Sequence, residues 1–151
     1  MVHLLLAASM IFTVPDIDSD FKSYMDYRCI TNAESAQYKL QQDCYTDENG
    51  LRVYDGYYVV ALGTYYSSTI GDKFKITLDS GEELYCVVGD VKADCDTDKT
   101  NRYVPINGNI IEFIVDTRKL PKDVRFMGTV SALDDFEGSV ESIEKIEEEK
   151  E

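Results

Sequence analysis

An acidic segment follows a predicted apolar strand and holds the residues best suited to chemistry. Asp90, Asp94, Asp96 and Asp98 all fall within residues 90–109, a stretch of 20 residues between two predicted strands. Loops of that length are uncommon in a compact domain and are often functional. This segment is therefore the first candidate for a site.

The spacing of Asp94, Asp96 and Asp98 suggests a calcium loop. D-x-D-x-D supplies the first ligands of an EF-hand, but that loop also needs Gly at its sixth position and Glu at its twelfth. Those positions are Lys99 and Pro105. We therefore expect a solvated acidic turn, with weak calcium binding at most and with no resident metal or other cofactor.

Asp90 differs from the other three aspartates because it directly follows Gly89 at the end of an apolar strand. A carboxyl partly desolvated at such a point can keep its proton near neutral pH and act as a general acid. We expect Lys92 to point to solvent, since the strand alternation has ended there. The alternative is an aspartate that only caps the following turn.

The charge balance argues against several classes of function. The chain has 29 acidic and 15 basic residues, and nine acids with two lysines lie in residues 133–151 alone. No basic patch is evident, so nucleic-acid binding and anionic-membrane binding are not predicted. The single histidine is His3, so a Ser-His-Asp or Cys-His nucleophile is not predicted either.

The strands on either side of the acidic segment resemble a known domain family. The runs VVALGTYYSSTIGDKFKITLDSGEELYCVVGDVKA and NGNIIEFIVD are similar to the "3D" (three-aspartate) domains. Those are double-psi β-barrels of bacterial and phage cell-wall proteins and of the membrane-bound lytic transglycosylase A group. The resemblance covers residues 57–116.

Particular positions carry this resemblance. Ile70-Gly71-Asp72 matches the family's L-G-T turn, Asp90 the Asp of D-T-G-G, Gly108-Asn109 the G-N pair, Glu112 the next Asp and Asp116 the last. The chain departs from the pattern at three places. The first Asp of the family is absent, since its position falls at Leu62-Gly63, and Val91-Lys92-Ala93 replaces T-G-G. Residues 94–106 form an insertion that the family lacks.

The resemblance implies a chemistry as well as a fold. In lytic transglycosylases one carboxyl, here Asp90, protonates the glycosidic oxygen and then assists attack by the sugar's own 6-hydroxyl. No metal is required. The residues expected to bind the glycan are Tyr65, Tyr66, Asp94, Asp96, Tyr103, Glu112 and Asp116.

Three functions remain open at this stage. The first is a peptidoglycan-cleaving enzyme, the second a non-catalytic wall- or glycan-binding module, and the third an accessory protein of a phage or mobile element. The expected partner is peptidoglycan or a related glycan, and not a nucleic acid.

Residues 2–14 form an apolar run without Lys or Arg. It is shorter than the roughly 20 residues that span a bilayer, but it has the length of a signal-peptide core. We therefore expect a secreted or cell-surface protein of a bacterium, with membrane contact through this segment as one option and a buried strand or helix as another. The four cysteines contain no CxxC pair, so free thiols are favoured over zinc, and any disulfide pairing stays open.

The remaining pattern is mainly β. Alternating apolar residues and Gly turns predict a small six-stranded barrel, and the resemblance implies that it is of the double-psi type. The short extension before it is predicted either to be extended or to hold one helix starting after Thr31 or Asn32. The strands are predicted near 57–62, 73–78, 83–89, 110–116, 126–131 and 139–146. The segments are an apolar segment 1–14, an extension 15–45, a barrel 46–146 and an acidic tail 147–151. The predicted core residues are Phe74, Ile76, Leu84, Cys86, Val88, Ile111, Phe113 and Val115.

Overall fold

The computed structural model describes residues 7–148, and strands dominate them. The strands are β1 (Ala7–Phe12), β2 (Tyr24–Asp26), β3 (Tyr45–Thr46), β4 (Arg52–Tyr54), β5 (Tyr57–Leu62), β6 (Lys73–Leu78), β7 (Glu83–Val91), β8 (Glu112–Val115) and β9 (Val140–Glu148). The α-helices are α1 (Ala36–Gln41) and α2 (Lys122–Met127). Short 3₁₀ helices cover Tyr27–Cys29, Asp94–Asp96, Thr117–Lys119, Val130–Ala132 and Asp134–Phe136.

These nine strands form one mixed sheet. The order is β1-β9-β6-β7-β5-β4-β3, and β8 pairs with both β5 and β2. The pairings β5–β7 and β2–β8 are parallel, whereas the others are antiparallel. The mainly β expectation is confirmed. The described strands do not close into a barrel, however, so the six-stranded barrel is not shown.

Four of the six predicted strands match closely. β5 and β6 have the predicted bounds, β7 continues two residues further than predicted, and β9 is shifted by one or two residues. The strand predicted at 110–116 is the shorter β8.

The strand predicted at 126–131 is wrong. Leu120 just before α2 and Val124 within it are both buried, and Gly128 ends α2 in the left-handed conformation, with φ +71°. Thr129 then caps a 3₁₀ helix through its side chain. The predicted last hairpin is therefore absent from the described residues, and β9 pairs with β6 and β1 instead.

The N-terminal extension contributes to the sheet through β2. Its predicted helix exists but starts at Ala36 with Ser35 as the N-cap, because the side chain of Asn32 is used earlier, accepting from the Glu34 amide. Within the apolar run 2–14, residues 7–12 form β1 against β9, but Met10 and Ile11 are exposed, so a buried strand is not what the structure has there. Residues 1–6 lie outside the described residues. No helix within residues 7–148 is long and apolar enough to cross a bilayer.

The sheet buries side chains on both faces. All eight predicted core residues belong to the main cluster, on one face of the sheet. Val59, Val87 and Ile114 form a second cluster on the opposite face, covered by Leu40 of α1. The nearly continuous apolar pattern of β8 is explained by this burial on both faces.

Lys22 joins the extension to the C-terminal segment and is fully buried. Its Nζ donates to the backbone oxygens of Asp20 (2.9 Å) and Gly138 (2.5 Å) and to Oγ of Ser131 (2.8 Å). Burial lowers the pKa of Lys22 to about 8, although nearby carboxylates, Asp20 first among them, oppose that shift.

We predict that Phe113→Ala lowers the free energy of unfolding by about 3–5 kcal/mol, because it opens a cavity among fully buried side chains. Phe126→Ala is the matched control. That ring is 88% exposed, so its removal changes stability by no more than about 0.5 kcal/mol. Urea unfolding of the two variants measures both values, and equal effects would contradict the assignment of the core.

Lys22 gives the protein a defined pH dependence. Its folded pKa of about 8 lies below the ordinary lysine value of 10.5, so the unfolded chain binds this proton more tightly. The penalty for burying the charge is fully present below pH 8 and fades as the pH rises toward 10.5. Wild type should therefore gain stability relative to Lys22→Met across that window.

The measurement is urea unfolding of both proteins at a pH below 8 and at a pH near 10.5. Lys39→Met, at an exposed position, is the control and should show a constant difference from wild type. A constant difference for Lys22→Met as well would contradict the burial of a charged lysine.

Candidate functional site

Two carboxylates are brought together across the centre of the sheet. Ala61 of β5 is paired with Asp90 of β7 on one side and with Glu112 of β8 on the other. Adjacent strands lie about 4.8 Å apart, so the two acidic residues flank one small residue at a backbone separation of about 10 Å. Ser23 extends this row, since its carbonyl accepts from the Phe113 amide and its hydroxyl donates to Glu112.

This row lies on the face opposite the main core. Val60 and Leu62 of β5 point into the main cluster, and Val59 points into the second one. Side chains alternate along a strand, so Ala61 shares the face of Val59. The face is thus apolar under α1 and becomes polar at the row of Ser23, Glu112 and Asp90.

A β-bulge places Asp90 on that face. Val60 pairs with Val88, but Ala61 pairs with Asp90, so Gly89 is the extra residue. A bulge shifts the alternation by one, and without it Asp90 would point toward the main core. Gly is required there because a Cβ would lie 2.2 Å from Cγ1 of Val59.

Asp90 opens onto a cleft of about 380 Å³. Its lining is largely polar: Ser23, Asp90, Val91, Lys92, Ala93, Asp96, Val104, Asn107, Asn109 and Glu112. Asp90 is only half-buried. Its Oδ1 accepts from the Val91 amide at 2.9 Å and, at the long distance of 3.5 Å, from Nε2 of Gln37. The carboxyl is thus reachable from the cleft.

Glu112 is fixed more firmly than Asp90. Its Oε2 accepts a hydrogen bond from Oγ of Ser23 at 3.0 Å. The same Ser23 Oγ accepts a hydrogen bond from Nδ2 of Asn109 at 2.9 Å. Asn109 is almost completely buried, and its Oδ1 accepts from the Ser23 amide at 3.0 Å. The chain Glu112–Ser23–Asn109 therefore orients one wall of the cleft.

Lys92 faces the cleft, so the expectation that it points to solvent is wrong. Its amide donates to the Leu62 carbonyl at 2.9 Å, which continues the sheet pairing past the end of β7. The side chain is half-buried in the cleft lining. Burial lowers the pKa of Lys92, and Glu112, Asp90 and Asp96 oppose that shift.

The three aspartates of the insertion have separate partners. Asp94 accepts from Oγ1 of Thr64 at 2.7 Å, and Asp96 is exposed at the rim of the cleft. Asp98 accepts from the Thr100, Arg102 and Tyr103 amides and the Thr100 hydroxyl. Partial burial raises its pKa, but these hydrogen bonds outweigh burial and lower it to about 2. No group of three His, Cys, Asp or Glu residues converges as a metal site within the described part of the chain.

The three tyrosines expected at the glycan lie away from this cleft. Tyr66 is buried in the main core, where burial strongly raises its pKa. Tyr65 packs edge-on against Tyr66 and Phe12. Tyr103 packs against the main core. None of them lines the cleft of Asp90.

Asp116 is also outside the cleft. It is buried and accepts from both Nε and Nη2 of Arg118 at 2.9 Å, and these bonds lower its pKa. Its side chain also caps the 3₁₀ helix Thr117–Lys119. The structure therefore gives Asp116 a local structural role.

Of the predicted site residues, the structure brings Asp90, Asp96 and Glu112 together. Sequence reasoning missed Ser23 and the inward position of Lys92. Asn109 could have been found from the sequence, because Gly108-Asn109 matches the family's G-N pair. Gly108 is needed there because a Cβ would lie 2.2 Å from the Asp18 carbonyl oxygen.

The arrangement suits a ligand rich in hydroxyl groups. Carboxylates, an amide and a serine hydroxyl all exchange hydrogen bonds with alcohols, and an ammonium group can donate to them. Among residues 7–148, no aromatic side chain lines the cleft. Comparison with family models, with curated proteins and with solved structures gives no match, so the chemistry of the cleft itself must carry the functional argument.

We predict that Gly89→Ala destabilises the protein by about 1–3 kcal/mol, because the new Cβ would overlap Val59. Val59→Ala in the same chain removes that side-chain contact. The double variant should therefore lose less stability than the two single variants added together. Urea unfolding of wild type, both single variants and the double variant completes this double-mutant cycle. Strictly additive losses of unfolding free energy would contradict the contact between Gly89 and Val59.

Proposed function

We propose that this protein acts on the glycan strands of a bacterial cell wall, with Asp90 as acid and base. The observation that supports this most is that Asp90 opens onto a polar cleft and faces Glu112 across Ala61. The resemblance to the 3D domains independently assigns an aspartate of the D-T-G-G motif to position 90. Two lines of argument thus converge on one carboxyl.

The proposed reaction is lytic transglycosylation. The protonated Asp90 carboxyl donates its proton to the glycosidic oxygen as the bond from that oxygen to the anomeric carbon breaks. The Asp90 carboxylate then accepts the proton of the sugar's 6-hydroxyl while that oxygen bonds to the anomeric carbon. The product is a 1,6-anhydro ring, and Glu112 and Asn109 would hold neighbouring hydroxyl groups.

The fold assignment belongs to the same proposal. The resemblance spans residues 57–116, which include β5, β6, β7 and β8, and of these strands β7 and β8 contribute residues to the cleft lining. We take these strands to be a divergent double-psi unit whose sheet is extended by the flanking strands. The working location would then be the bacterial cell surface or the secreted space, where such glycans are found.

Lys92 favours a second candidate, a non-catalytic glycan-binding module. An ammonium close to a carboxyl favours the ionised form, whereas a general acid must hold its proton. Here Lys92 lies in the cleft with Asp90 and Glu112. In this alternative, the charged groups only bind hydroxyls, and the cleft binds wall polymer without cleaving it.

The test is incubation of the purified chain with peptidoglycan sacculi, followed by mass spectrometry of the soluble products. We predict release of anhydro-muropeptides by wild type and none by Asp90→Asn, which removes the proton carrier at nearly constant shape. Asp94→Asn is the matched control, because Asp94 hydrogen-bonds Thr64 outside the cleft lining, and it should keep full activity.

Co-sedimentation with the same sacculi separates the alternatives. Binding without cleavage, weakened by Glu112→Gln, would support the binding module. Wild type that neither binds nor cleaves any wall preparation would contradict both candidates.

A further inference from the structure

A compact basic surface surrounds α2, although the low basic content of the chain predicts none. Residues 118–127 contain four basic residues and one acid, a local charge of +3 on a chain of net charge −14. The basic residues are Arg118, Lys119, Lys122 and Arg125, and all four are exposed.

Most of this positive charge is free of internal partners. Arg118 is bound to Asp116. Among the described residues, Lys119, Lys122 and Arg125 form no ion pair within 4.0 Å. Asp123 is the one acid of α2. Three cations are therefore available to an external anion.

The helix also presents apolar groups to solvent. Leu120 and Val124 are buried and hold α2 on the main core. Successive residues turn by about 100° around a helix, so the direction opposite Val124 falls between Lys122 and Phe126, with Arg125 beside them. Phe126 is 88% exposed and Met127 61% exposed. Phe126 therefore projects away from the protein, with Lys122 and then Arg125 on one side of it around the helix and Asp123 and then Met127 on the other.

We infer that the α2 surface (Lys119, Lys122, Arg125, Phe126 and Met127) docks on an anionic lipid surface. The cations would pair with lipid phosphates, and Phe126 with Met127 would enter the boundary between head groups and acyl chains. Interfacial helices use the same two kinds of group, with Lys and Arg for anionic lipids and Phe, Trp or Leu buried in the head-group boundary.

The shape of the α2 surface favours a membrane over a folded protein partner. Phe126 stands on a convex helix, and a protein would need a pocket shaped to receive it. A lipid interface accepts a projecting ring without such a pocket. The charge is also suitable, since each Lys or Arg near an anionic membrane contributes about 1 kcal/mol. The inference does not depend on the proposed glycan cleft, because α2 contributes no residue to its lining.

The test is co-sedimentation of the full chain with vesicles at low salt. One set is phosphatidylcholine alone, and the other contains phosphatidylglycerol as a minority lipid. We expect binding to the anionic vesicles only, weakened by added salt. Reversal of two cations in Lys122→Glu/Arg125→Glu should weaken binding by at least about tenfold. Phe126→Ser/Met127→Ser should abolish sedimentation while charge is unchanged.

The controls use equally exposed positions elsewhere. Ile106→Ser removes a side chain that is 91% exposed, and Lys39→Glu reverses an exposed cation on α1. Both should bind like wild type, and thermal melts should show that every variant is folded. The inference is overturned if wild type ignores anionic vesicles, or if Phe126→Ser/Met127→Ser binds them unchanged. If wild type and Phe126→Ser/Met127→Ser both bind polyglutamate as well as they bind anionic vesicles, the surface recognises charge alone. That result would also overturn the inference.

Discussion

The register of β7 on β5 is the constraint on which the candidate site depends. Gly89 lies against Cγ1 of Val59 so closely that no side chain fits, and the extra residue shifts the alternation of the strand. Val88 therefore stays in the main core while Asp90 reaches the opposite face. One glycine thus allows a strand to be apolar on both sides and then to place a carboxylate in the cleft.

The cleft depends equally on where the sheet face changes character. Under α1 the face is apolar, with Val59, Val87 and Ile114 covered by Leu40. Two residues along β5 and β8, and three along the bulged β7, the same face carries Ala61, Glu112 and Asp90. The small Ala61 leaves space between the two acids. Gly63 then lets the insertion pass close over β5, because a Cβ there would lie 2.1 Å from the Asn101 carbonyl oxygen.

The sequence was a good guide where local pattern and burial agree. KFKITL alternates cleanly and is β6 with the predicted bounds, and the eight predicted core residues are all buried. It failed where tertiary contacts decide. Residues 126–131 contain apolar residues without a strand partner, and helix capping by Gly128 prevails. The position of Lys92 could not be predicted, because it depends on a hydrogen bond from the Lys92 amide to the carbonyl of Leu62. Leu62 lies on β5, which is next to β7 in the sheet but far from Lys92 in sequence.

The two lysines with lowered pKa values show how the same physical effect serves different ends. Lys22 has three oxygen acceptors for its ammonium group, two of them backbone carbonyls, so its hydrogen bonds are used within the fold. Lys92 is also desolvated, but its side chain faces a cleft and the charges around it are the carboxylates that a ligand would meet. A ligand that hydrogen-bonds Asp90 or Glu112 changes the electrostatic environment of Lys92 directly. The lowered pKa of Lys92 is therefore a property of the cleft lining, whereas that of Lys22 is a property of the folded core.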